Sequence, residues 1–586
     1  MTDFEDWSDA PEDITAGLSI AELEQAIART EVTGSIDLGQ TGWFKKAVFY
    51  EVLVRSYRDS NGDGIGDFAG LTTQLDYLQW LGVDCLWLPP FQPSPLADGG
   101  YDVADFTGIL PELGTMGEFE AFIAHAHDRG IRLIIDFVMN HTSSQHPWFQ
   151  ASRRDPDGPY GDYYVWRDHP DAYLDARVIF LDTHDSNWSY DAVRGQYYFH
   201  RFFDHQPDLN WENPRVAEEM FAALRFWLDK GIDGFRLDAV PYLVEQDGTN
   251  CENLPGTHDI LKRARVIVDA DYPGRILLCE ANQWPHDVVE YLGMGDECHM
   301  AFHFPVMPRL FMALKQGRRD AISEILAQTP PIPPNTQWGT FLRNHDELTL
   351  EMVTPEDREF MWAQYAPEPR MRANLGIRRR LAPLVDNDPF QIKLLHGLLL
   401  SLPGSPVLYY GDEIGMGDNI WLHDRDGVRT PMQWSDEPGA GFSEAHPEQF
   451  HLPLVDHPLF GPHAVNVAQQ MQDPSSQLMW LRHLLGIRRR FAVFGRGSFT
   501  DLGGSNPAVL SFLREDRRHT VLCVNNLTHT DQEFTVHLPD FAGVDARLML
   551  RDDAPVPIEA DGTLRLFLHQ HGFQWLLLRG REMEDQ

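Results

Sequence analysis

The sequence predicts an α/β fold, in which a (β/α)8 barrel carries a small subdomain inserted after its third strand and a C-terminal antiparallel β-sandwich. Three observations point to this fold class. Apolar runs of strand length alternate with amphipathic helical patterns through most of the chain, which is typical of a parallel sheet. The alternation stops between residues 143 and 206. After residue 494 it gives way to short alternating strands separated by glycine turns, which indicates an antiparallel sandwich.

The first strands and helices of the barrel follow from hydrophobic periodicity. Residues 48–54, 85–88 and 131–137 are apolar runs with the length of buried strands. Between them, residues 71–81 place leucines at helical spacing on one face, and residues 116–129 form a second amphipathic helix. Repeated units of this kind, more than six in number, favour a closed barrel.

The later elements are predicted in the same way. Residues 143–206 are rich in Asp, Tyr, Trp and Pro without a clear helical pattern, so we expect an excursion over the barrel mouth. Residues 358–389 are rich in arginine, have little strand character and are interpreted as an insertion. The remaining predicted barrel strands are 234–237, 276–279, 340–342 and 407–410, with helices at 216–230 and 391–402.

The 586 residues divide into four predicted parts. An acidic extension, with one helical stretch at 20–30, precedes the barrel. The sandwich is expected to contain strands at 509–513, 520–524, 534–538, 564–568 and 573–578. The boundaries are 1–40 for the extension, 41–142 and 207–493 for the barrel, 143–206 for the inserted subdomain and 494–586 for the sandwich.

Charge and cysteine content exclude several classes of function. The formal net charge of −40 repels nucleic acids and anionic membranes, and no apolar run is long enough to span a bilayer. Five scattered cysteines without CxxC spacing, and an acidic N-terminus without a signal pattern, predict a reduced cytoplasmic enzyme. We expect neither a nucleic acid nor a membrane partner, and no organic cofactor.

Four carboxylates come at the ends of predicted strand motifs: Asp136, Asp238, Glu280 and Asp346. The carboxyl ends of barrel strands are where this fold keeps its chemistry, so these side chains are expected to converge at one mouth. A structural ion pair is the alternative for any single acid, but four acids with Arg236 and nearby histidines favour a catalytic site.

The sequence around each acid predicts a different role. Arg236 lies two residues before Asp238 on the same strand face, where it is expected to lower the pKa of that carboxylate and keep it ionised as a nucleophile. Glu280 follows an apolar run that is expected to raise its pKa, as a general acid requires. Asp346 would bind sugar hydroxyls, with His141 and His345 as further hydrogen-bond donors.

A loop near the N-terminus predicts a site for a hard cation. It places oxygen ligands at alternate positions around Gly64, as the first part of an EF-hand loop does. Position 12 of that pattern is Gly70, so the bidentate glutamate is missing. Ca²⁺ or Mg²⁺ is therefore expected, with a solvated acidic turn as the alternative. The predicted ligands are Asp59, Asn61, Asp63, the carbonyl of Ile65, and Asp67.

These motifs together resemble the α-amylase family of glycoside hydrolases and transglycosidases. The segments that carry the resemblance are residues 136–142, 206–210, 234–238, 277–280 and 343–346, and it extends from about Trp43 to Leu578. It implies that Asp238 is the nucleophile, Glu280 the acid/base and Asp346 the stabiliser of the transition state. It also implies a first sugar subsite formed by Asp102, His141, Arg236, His345 and Arg429.

Within the family, residues 373–384, 410–419 and 424–434 are most similar to the branch that interconverts maltose and trehalose. This implies a retaining double displacement through a covalent glucosyl-Asp238, with some hydrolysis to glucose. An α-glucosidase or oligo-1,6-glucosidase remains open because it would share the first half-reaction. A binding subunit without catalysis is a third alternative, which the presence of all three acids disfavours.

The resemblance implies further partners and ligands. A structural Ca²⁺ is expected between the barrel and the inserted subdomain. A homo-oligomer, either a dimer or a tetramer, and association with a maltokinase are also implied. Glu347, Glu351 and residues 358–389 are candidates for a wall that excludes water, with a solvated helix face as the alternative. The implied Ca²⁺ ligands are Asn140, Asp208, Glu245 and the carbonyls of Tyr242 and Leu243.

Overall fold

The computed structural model describes residues 39–504, 506–550 and 554–580. Its centre is a closed barrel of eight parallel strands in which each strand pairs with its neighbours along the chain and the last pairs with the first. This confirms the predicted fold class. The strands are β1 Phe49–Glu51, β2 Cys85–Leu88, β3 Arg132–Val138, β4 Gly234–Asp238, β5 Ile276–Cys279, β6 Met300–Phe302, β7 Gln337–Phe341 and β8 Ser405–Tyr409.

Seven of these strands correspond to predicted runs, and β6 was missed. Three buried residues form β6, with His299 before it and His303 after it. A run so short between polar residues carries no periodic signal, and pairing with β5 and β7 is what makes it a strand. The predicted helix at 20–30 lies outside the described residues.

Helices surround the barrel, and several of them begin at residues whose side chains cap the helix N-terminus. Asn213 accepts a hydrogen bond from the backbone N–H of Arg215, and Pro214 occupies the first helical position. Thr115 and Glu118 form a capping box at the start of another helix. The main helices are Phe68–Thr73, Leu75–Leu81, Met116–Asp128, Pro214–Asp229, Pro255–Asp271, Val306–Gln316, Asp320–Gln328, Pro355–Tyr365, Pro389–Ser401, Val467–Gln472 and Gln477–Arg490.

The inserted region contains one helix, contrary to the expectation. Pro147–Arg154 is helical, because His146 accepts from the backbone N–H of Trp148 and Phe149 is buried. Eight residues are too few to show a clear apolar face in the sequence. The rest of the region is a three-stranded antiparallel sheet formed by Trp166–Arg167, Trp188–Asp191 and Gln196–Phe199.

The C-terminal region is built from antiparallel strands, and all five predicted strands are present. A two-stranded sheet of Gln532–His537 and Thr563–Leu568 shares an apolar core with a larger six-stranded sheet. No helix among the described residues is both long and apolar enough to cross a membrane. The six strands are Ser498–Asp501, Val509–Glu515, His519–Asn526, Asp545–Leu548, Val556–Pro557 and Phe573–Gly580.

The start of β4 requires glycine. Gly234 has φ +152°, and a Cβ at this position would lie 2.2 Å from the carbonyl oxygen of Ile276. The absence of a side chain therefore allows β4 to pair closely with β5, and these two strands carry Asp238 and lead into Glu280.

Candidate active site

The carboxyl ends of the barrel strands open into a cavity of about 120 Å³. Asp238 is the last residue of β4, and Glu280 directly follows β5. The loop after β7 brings Asp346 to the same cavity, so the structure brings the three predicted catalytic acids together. The cavity is lined by Asp98, Tyr101, His141, Ile179, Phe180, Phe202, Asp238, Ala239, Tyr242, Glu280, Asn282, Phe304, Asn344, Asp346, Glu347, Thr349, Glu351 and Arg425.

One buried guanidinium holds two of these acids. Nη1 of Arg236 lies 2.5 Å from Oδ1 of Asp238, and its Nη2 lies 2.5 Å from Oε1 of Glu280. Nη1 is also 3.0 Å from Oδ1 of Asp136, a carboxylate with no exposed surface. Because Asp238 and Glu280 bind the same planar group, their carboxyl groups are held close to each other.

Burial sets the protonation of this pair. It raises the pKa of Asp238 to about 6, although Arg236 opposes the rise, so the expected lowering of this pKa was wrong. The physical reason is that desolvation and the neighbouring carboxylates outweigh the single guanidinium. Burial also raises the pKa of Glu280 to about 7, in the predicted direction. Between these values Asp238 is mostly ionised while Glu280 is mostly protonated.

Asp346 is held as an anion. Burial alone would raise its pKa, but His345, Arg425 and Arg429 together hold the pKa well below its ordinary value. Nη1 of Arg425 and Nη2 of Arg429 lie 2.8 and 3.1 Å from Oδ1, while Nε2 of His345 lies 3.0 Å from Oδ2. Both carboxylate oxygens therefore have positively charged partners.

Asp102 does not reach the cavity, contrary to the implied role in the sugar subsite. It has no exposed surface, and its oxygens accept hydrogen bonds from Ser94 and from the backbone N–H groups of Ala97 and Asp98. Its place in the cavity wall is taken by Asp98, whose Oδ1 lies 2.5 Å from Nη2 of Arg425. The carboxylate of Asp102 instead holds the loop that presents Asp98.

Among the other implied subsite residues, only His141 lines the cavity. Burial lowers the pKa of His141 to about 3, so the ring is neutral, and its Nε2 has no protein partner. Arg236, His345 and Arg429 lie behind the wall and contact the acids that form it. The sequence analysis did not predict that Asp98, Tyr101 and Arg425 line the cavity. For Asp98 and Tyr101 the sequence did contain a signal of a tight turn, namely the two glycines between them, which have φ +57° and +111° in the structure.

The inserted subdomain contacts the wall of the cavity through Arg177. Its Nη1 lies 3.0 Å from Oε2 of Glu351, and its Nε lies 2.7 Å from Oε1 of Glu252. Its Nη2 donates to the hydroxyl of Tyr242 at 2.9 Å, and Asn282 also donates to Glu351. These contacts connect the inserted subdomain to Tyr242 and Glu351, which both line the cavity.

A second connection comes from the ribbon formed by Arg372–Ala373 and Gly376–Ile377. The backbone N–H of Asn374 donates to Asp182 of the inserted subdomain at 2.8 Å, and its side chain donates to Glu347 at 3.3 Å. Glu347 and Glu351 both line the cavity, as does Thr349 between them. The segment interpreted as an insertion therefore contacts the wall of the site.

The predicted cation loop is a series of tight turns. Oδ1 of Asp59 accepts from the backbone N–H groups of Asn61 and Gly62, and its Oδ2 accepts from Gly64. Side-chain oxygens of Asn61 and Asp63 accept from the backbone two residues further on, while Asp67 caps the helix that follows. The side-chain oxygens of Asp59, Asn61 and Asp63 are thus held within the loop by its own backbone, and they are of the type that a hard cation binds.

The second implied cation site has buried oxygens without partners. Oδ1 of Asn140, Oδ2 of Asp208 and Oε1 of Glu245 are buried and accept no hydrogen bond. Burial raises the pKa of Asp208, and burial together with repulsion from Asp208 raises the pKa of Glu245, so a bound cation would stabilise the charged form of both. No group of three or more His, Cys, Asp or Glu residues suited to a metal was found in the described part of the chain.

Comparison with known proteins identifies the family. The family described as Alpha amylase, catalytic domain, matches residues 51–365 and 378–497, and that described as Maltogenic Amylase, C-terminal domain, matches 499–575. A trehalose synthase of Pimelobacter sp. (strain R48) is 61% identical over 94% of this chain and 98% of its own length. The trehalose synthase/amylase TreS of Mycobacterium tuberculosis (strain ATCC 25618 / H37Rv) is 60% identical over 92% of this chain and 91% of its own.

A solved structure supports the same assignment. The trehalulose synthase MutB from Pseudomonas mesoacidophila MX-45 is 30% identical and has a TM-score of 0.72, with 92% of this chain and 100% of that chain covered. Among enzymes with a hydrolytic name, an oligo-1,6-glucosidase of Halalkalibacterium halodurans is 30% identical over 83% of this chain and 90% of its own.

Replacing Arg236 with methionine should destabilise the protein in a pH-dependent way. The change leaves the carboxyls of Asp238 and Glu280 without their positive partner. The pKa values of both groups are higher in the folded than in the unfolded protein, so the folded state loses stability as the pH rises from the unfolded to the folded pKa values. We expect a loss of about 3–5 kcal/mol at pH 8 that shrinks towards pH 5. Thermal unfolding across this range measures it.

The control is Arg488→Met, which removes another buried arginine. Arg488 donates to the backbone carbonyls of Leu400 and Gly404, so no carboxylate is left unpaired. Its loss of stability should stay constant between pH 5 and pH 8. Equal pH dependence in the two variants would contradict the assigned electrostatics.

Proposed function

The chain belongs to the α-amylase family, and we propose that within this family it interconverts maltose and trehalose by moving a glucosyl group inside one cavity. The observation that carries the chemistry is the pair of carboxyls on Arg236, which are close enough to flank one anomeric carbon. The proposed substrates, maltose and trehalose, are inferred from the trehalose synthases described above, which are about three fifths identical to this chain over nearly its whole length.

The first half-reaction breaks the bond between the glucoses of maltose. The carboxylate of Asp238 attacks C1 of the non-reducing glucose and forms an ester to it. Glu280 gives its proton to the departing O4, so free glucose is released and Glu280 becomes a carboxylate. The pKa values of about 6 and 7 place the two groups in the required states near neutral pH.

The second half-reaction forms the new bond. The released glucose turns within the cavity and presents its anomeric hydroxyl to C1 of the glucosyl group. Glu280 takes the hydroxyl proton while the ester to Asp238 breaks, which restores both acids to their starting states. Two inversions at C1 give the α,α-1,1 link of trehalose. Water is neither consumed nor released.

Asp346 and the groups around it bind the sugar between these steps. Its carboxylate carries full negative charge, which stabilises the positive charge that develops at the anomeric centre. Asp98, His141 and Arg425 present polar atoms to the same cavity. These groups favour the distorted ring of the transition state over the ground state of the sugar.

Exclusion of water separates isomerisation from hydrolysis. If water reaches the glucosyl ester before glucose turns, the product is two molecules of glucose. Arg177 connects the inserted subdomain to Glu351 and Glu252, which supports transfer over hydrolysis. An α-glucosidase is the second candidate, supported by the more distant hydrolytic relatives.

We also propose that Ca²⁺ binds at two positions. The loop of Asp59, Asn61, Asp63, Ile65 and Asp67 offers the alternating oxygens that this ion requires. A cation near Asn140, Asp208, Glu245 and the carbonyls of Tyr242 and Leu243 would neutralise the buried oxygens described above. Its contribution there is structural, holding the inserted subdomain against the barrel.

The assembly and location of the protein stay predictions. A homo-oligomer, a maltokinase partner and a cytoplasmic location are proposed on the resemblance alone. Light scattering measures the oligomeric state, and co-purification with a maltose-phosphorylating kinase tests the proposed partner. A monomer at every concentration would contradict the proposed oligomer.

Incubation with maltose tests the proposed function. We expect trehalose as the main product with a smaller amount of glucose, and the reverse reaction from trehalose. In H₂¹⁸O, trehalose should remain unlabelled because no water enters the transfer. Asp238→Asn should lower the rate at least about 10³-fold because the nucleophile is lost.

The matched control is Asp436→Asn, which changes an exposed acid outside the cavity and should leave the rate unchanged. Formation of glucose alone would show that the protein is a hydrolase. Full activity of Asp238→Asn would contradict the covalent mechanism.

Truncating Arg177 should change the product ratio. Arg177→Ala removes the contacts to Glu351, Glu252 and Tyr242, so water enters more easily and glucose relative to trehalose should rise about threefold or more. Arg167→Ala is the control, because Arg167 donates to Trp166 and Tyr173 within the inserted subdomain. An unchanged ratio in Arg177→Ala would rule out this role.

Removal of Ca²⁺ should lower thermal stability, because the buried carboxylates lose their counter-charge. Elemental analysis of the purified protein should find two Ca²⁺ per chain, and Glu245→Gln and Asp63→Asn should each lose one. Chelation should lower the midpoint of unfolding, and added Ca²⁺ should restore it. Protein that contains no bound cation and has the same midpoint with and without Ca²⁺ would contradict both sites.

A further inference from the structure

A buried carboxylate on the first strand has no role in the mechanism described so far. Glu51 is the last residue of β1 and has no exposed surface. Its Oε1 forms a short hydrogen bond with Nδ1 of His345 and accepts a longer one, 3.4 Å, from the backbone N–H of His345. Its Oε2 is buried without a hydrogen-bond partner. An acid placed this way is costly unless a positive charge lies beside it.

We propose that Glu51 is a positioning residue, which keeps His345 charged and oriented so that His345 holds Asp346 in its catalytic position. This inference rests on the proposed function and deepens it, because Asp346 is the group that stabilises the glucosyl transition state. Glu51 itself lies behind His345 and does not line the cavity.

The two nitrogens of His345 face two carboxylates. Nδ1 is bound to Glu51, and Nε2 lies 3.0 Å from Oδ2 of Asp346. A neutral imidazole has one N–H and can donate to only one of them, whereas an imidazolium donates to both. Burial disfavours the charged ring, but Asp346 and Glu51 overcome it and raise the pKa of His345 to about 9.

The ring is also fixed in orientation. It stacks on Tyr101 with 5.4 Å between the ring centres, and Trp87 packs against it edge-on at 5.8 Å. The hydroxyl of Tyr101 lies 2.8 Å from Nε2 and donates to Asp136. The ring therefore cannot turn away from Asp346 without breaking these contacts.

The two oxygens of Asp346 have separate partners. Arg425 and Arg429 both bind Oδ1, whereas the charged partner of Oδ2 is His345. A neutral ring that donates only towards Glu51 would leave a lone pair facing Oδ2, which repels it. Glu51 thereby controls the orientation of the carboxylate from the opposite side of the ring.

Two other charged groups lie near His345, on β3 and in the loop that carries Arg429. Asp136 favours the charged ring from β3, and Arg429 donates from its Nε to the backbone carbonyl of His345. Neither binds a ring nitrogen. The charged and titratable groups near the ring or its immediate partners include Glu51, Tyr101, Asp136, Arg236, Arg343, Asp346, Glu347, Tyr409, Asp412, Arg425 and Arg429.

The test begins with the titration of His345 in the protein labelled with ¹³C at histidine Cε1, assigned by His345→Asn. The signal should titrate near pH 9 in the wild-type protein. In Glu51→Gln, which preserves the size of the side chain but removes its charge, the titration should move down by at least one pH unit. A His345 that titrates below pH 7 in the wild-type protein overturns the proposal.

Kinetics separate positioning from a purely structural role. With nitrophenyl α-glucoside, Glu51→Gln should lower kcat about tenfold or more with little change in KM. In the His345→Asn background the same change should have less than about a twofold effect, because the group it acts through is absent. Effects of equal size in both backgrounds would overturn the proposal.

The control is Glu413→Gln, another buried acid, whose Oε1 accepts from Tyr50 and Tyr77 away from His345. It should affect thermal stability without moving the His345 titration. A shift of that titration equal to the one in Glu51→Gln would overturn the specific role of Glu51. The titration does not depend on the sugar, so failure of the proposed function, with glucose as the only product, is recognised separately.

Discussion

The site depends on one guanidinium among three buried acids. Arg236 has almost no exposed surface and binds Asp238 and Glu280 at 2.5 Å and Asp136 at 3.0 Å. Without that positive charge, the carboxylates would repel one another and take up protons. With it, two carboxyls remain adjacent and differ in pKa, as acid and nucleophile must.

A second set of charges has the opposite effect on Asp346. Its carboxylate is surrounded by Arg425, Arg429 and His345, so it stays ionised where burial alone would neutralise it. The hydroxyl of Tyr101 joins the two sets, since it contacts Asp136 on one side and His345 on the other. Acids of the same type thus acquire different protonation states from the balance of burial and neighbouring charge.

The barrel and the parts added to it divide the work. Arg236, Asp238 and Glu280 lie in or directly after strands that are hydrogen-bonded to neighbours on both sides, and the loop after β7 supplies Asp346. The inserted subdomain supplies Arg177, and the ribbon at 372–377 supplies Asn374; both contact the acidic wall after Asp346. The parts added to the barrel are therefore connected to the site by polar contacts, and the proposed exclusion of water would depend on these contacts.

The sequence by itself determined the barrel, the sandwich and the candidate acids, because strand length, helical period and a carboxylate after an apolar run are local features. It did not predict β6 or the helix Pro147–Arg154, because short elements carry little local signal. It also placed Asp102 in the cavity instead of Asp98, because the orientation of a loop cannot be read from local sequence. The pKa of Asp238, the contacts of Arg177 with the cavity wall and the role inferred for Glu51 were decided only by tertiary structure. Each depends on burial and on charges from residues distant in sequence, which meet only when the barrel closes.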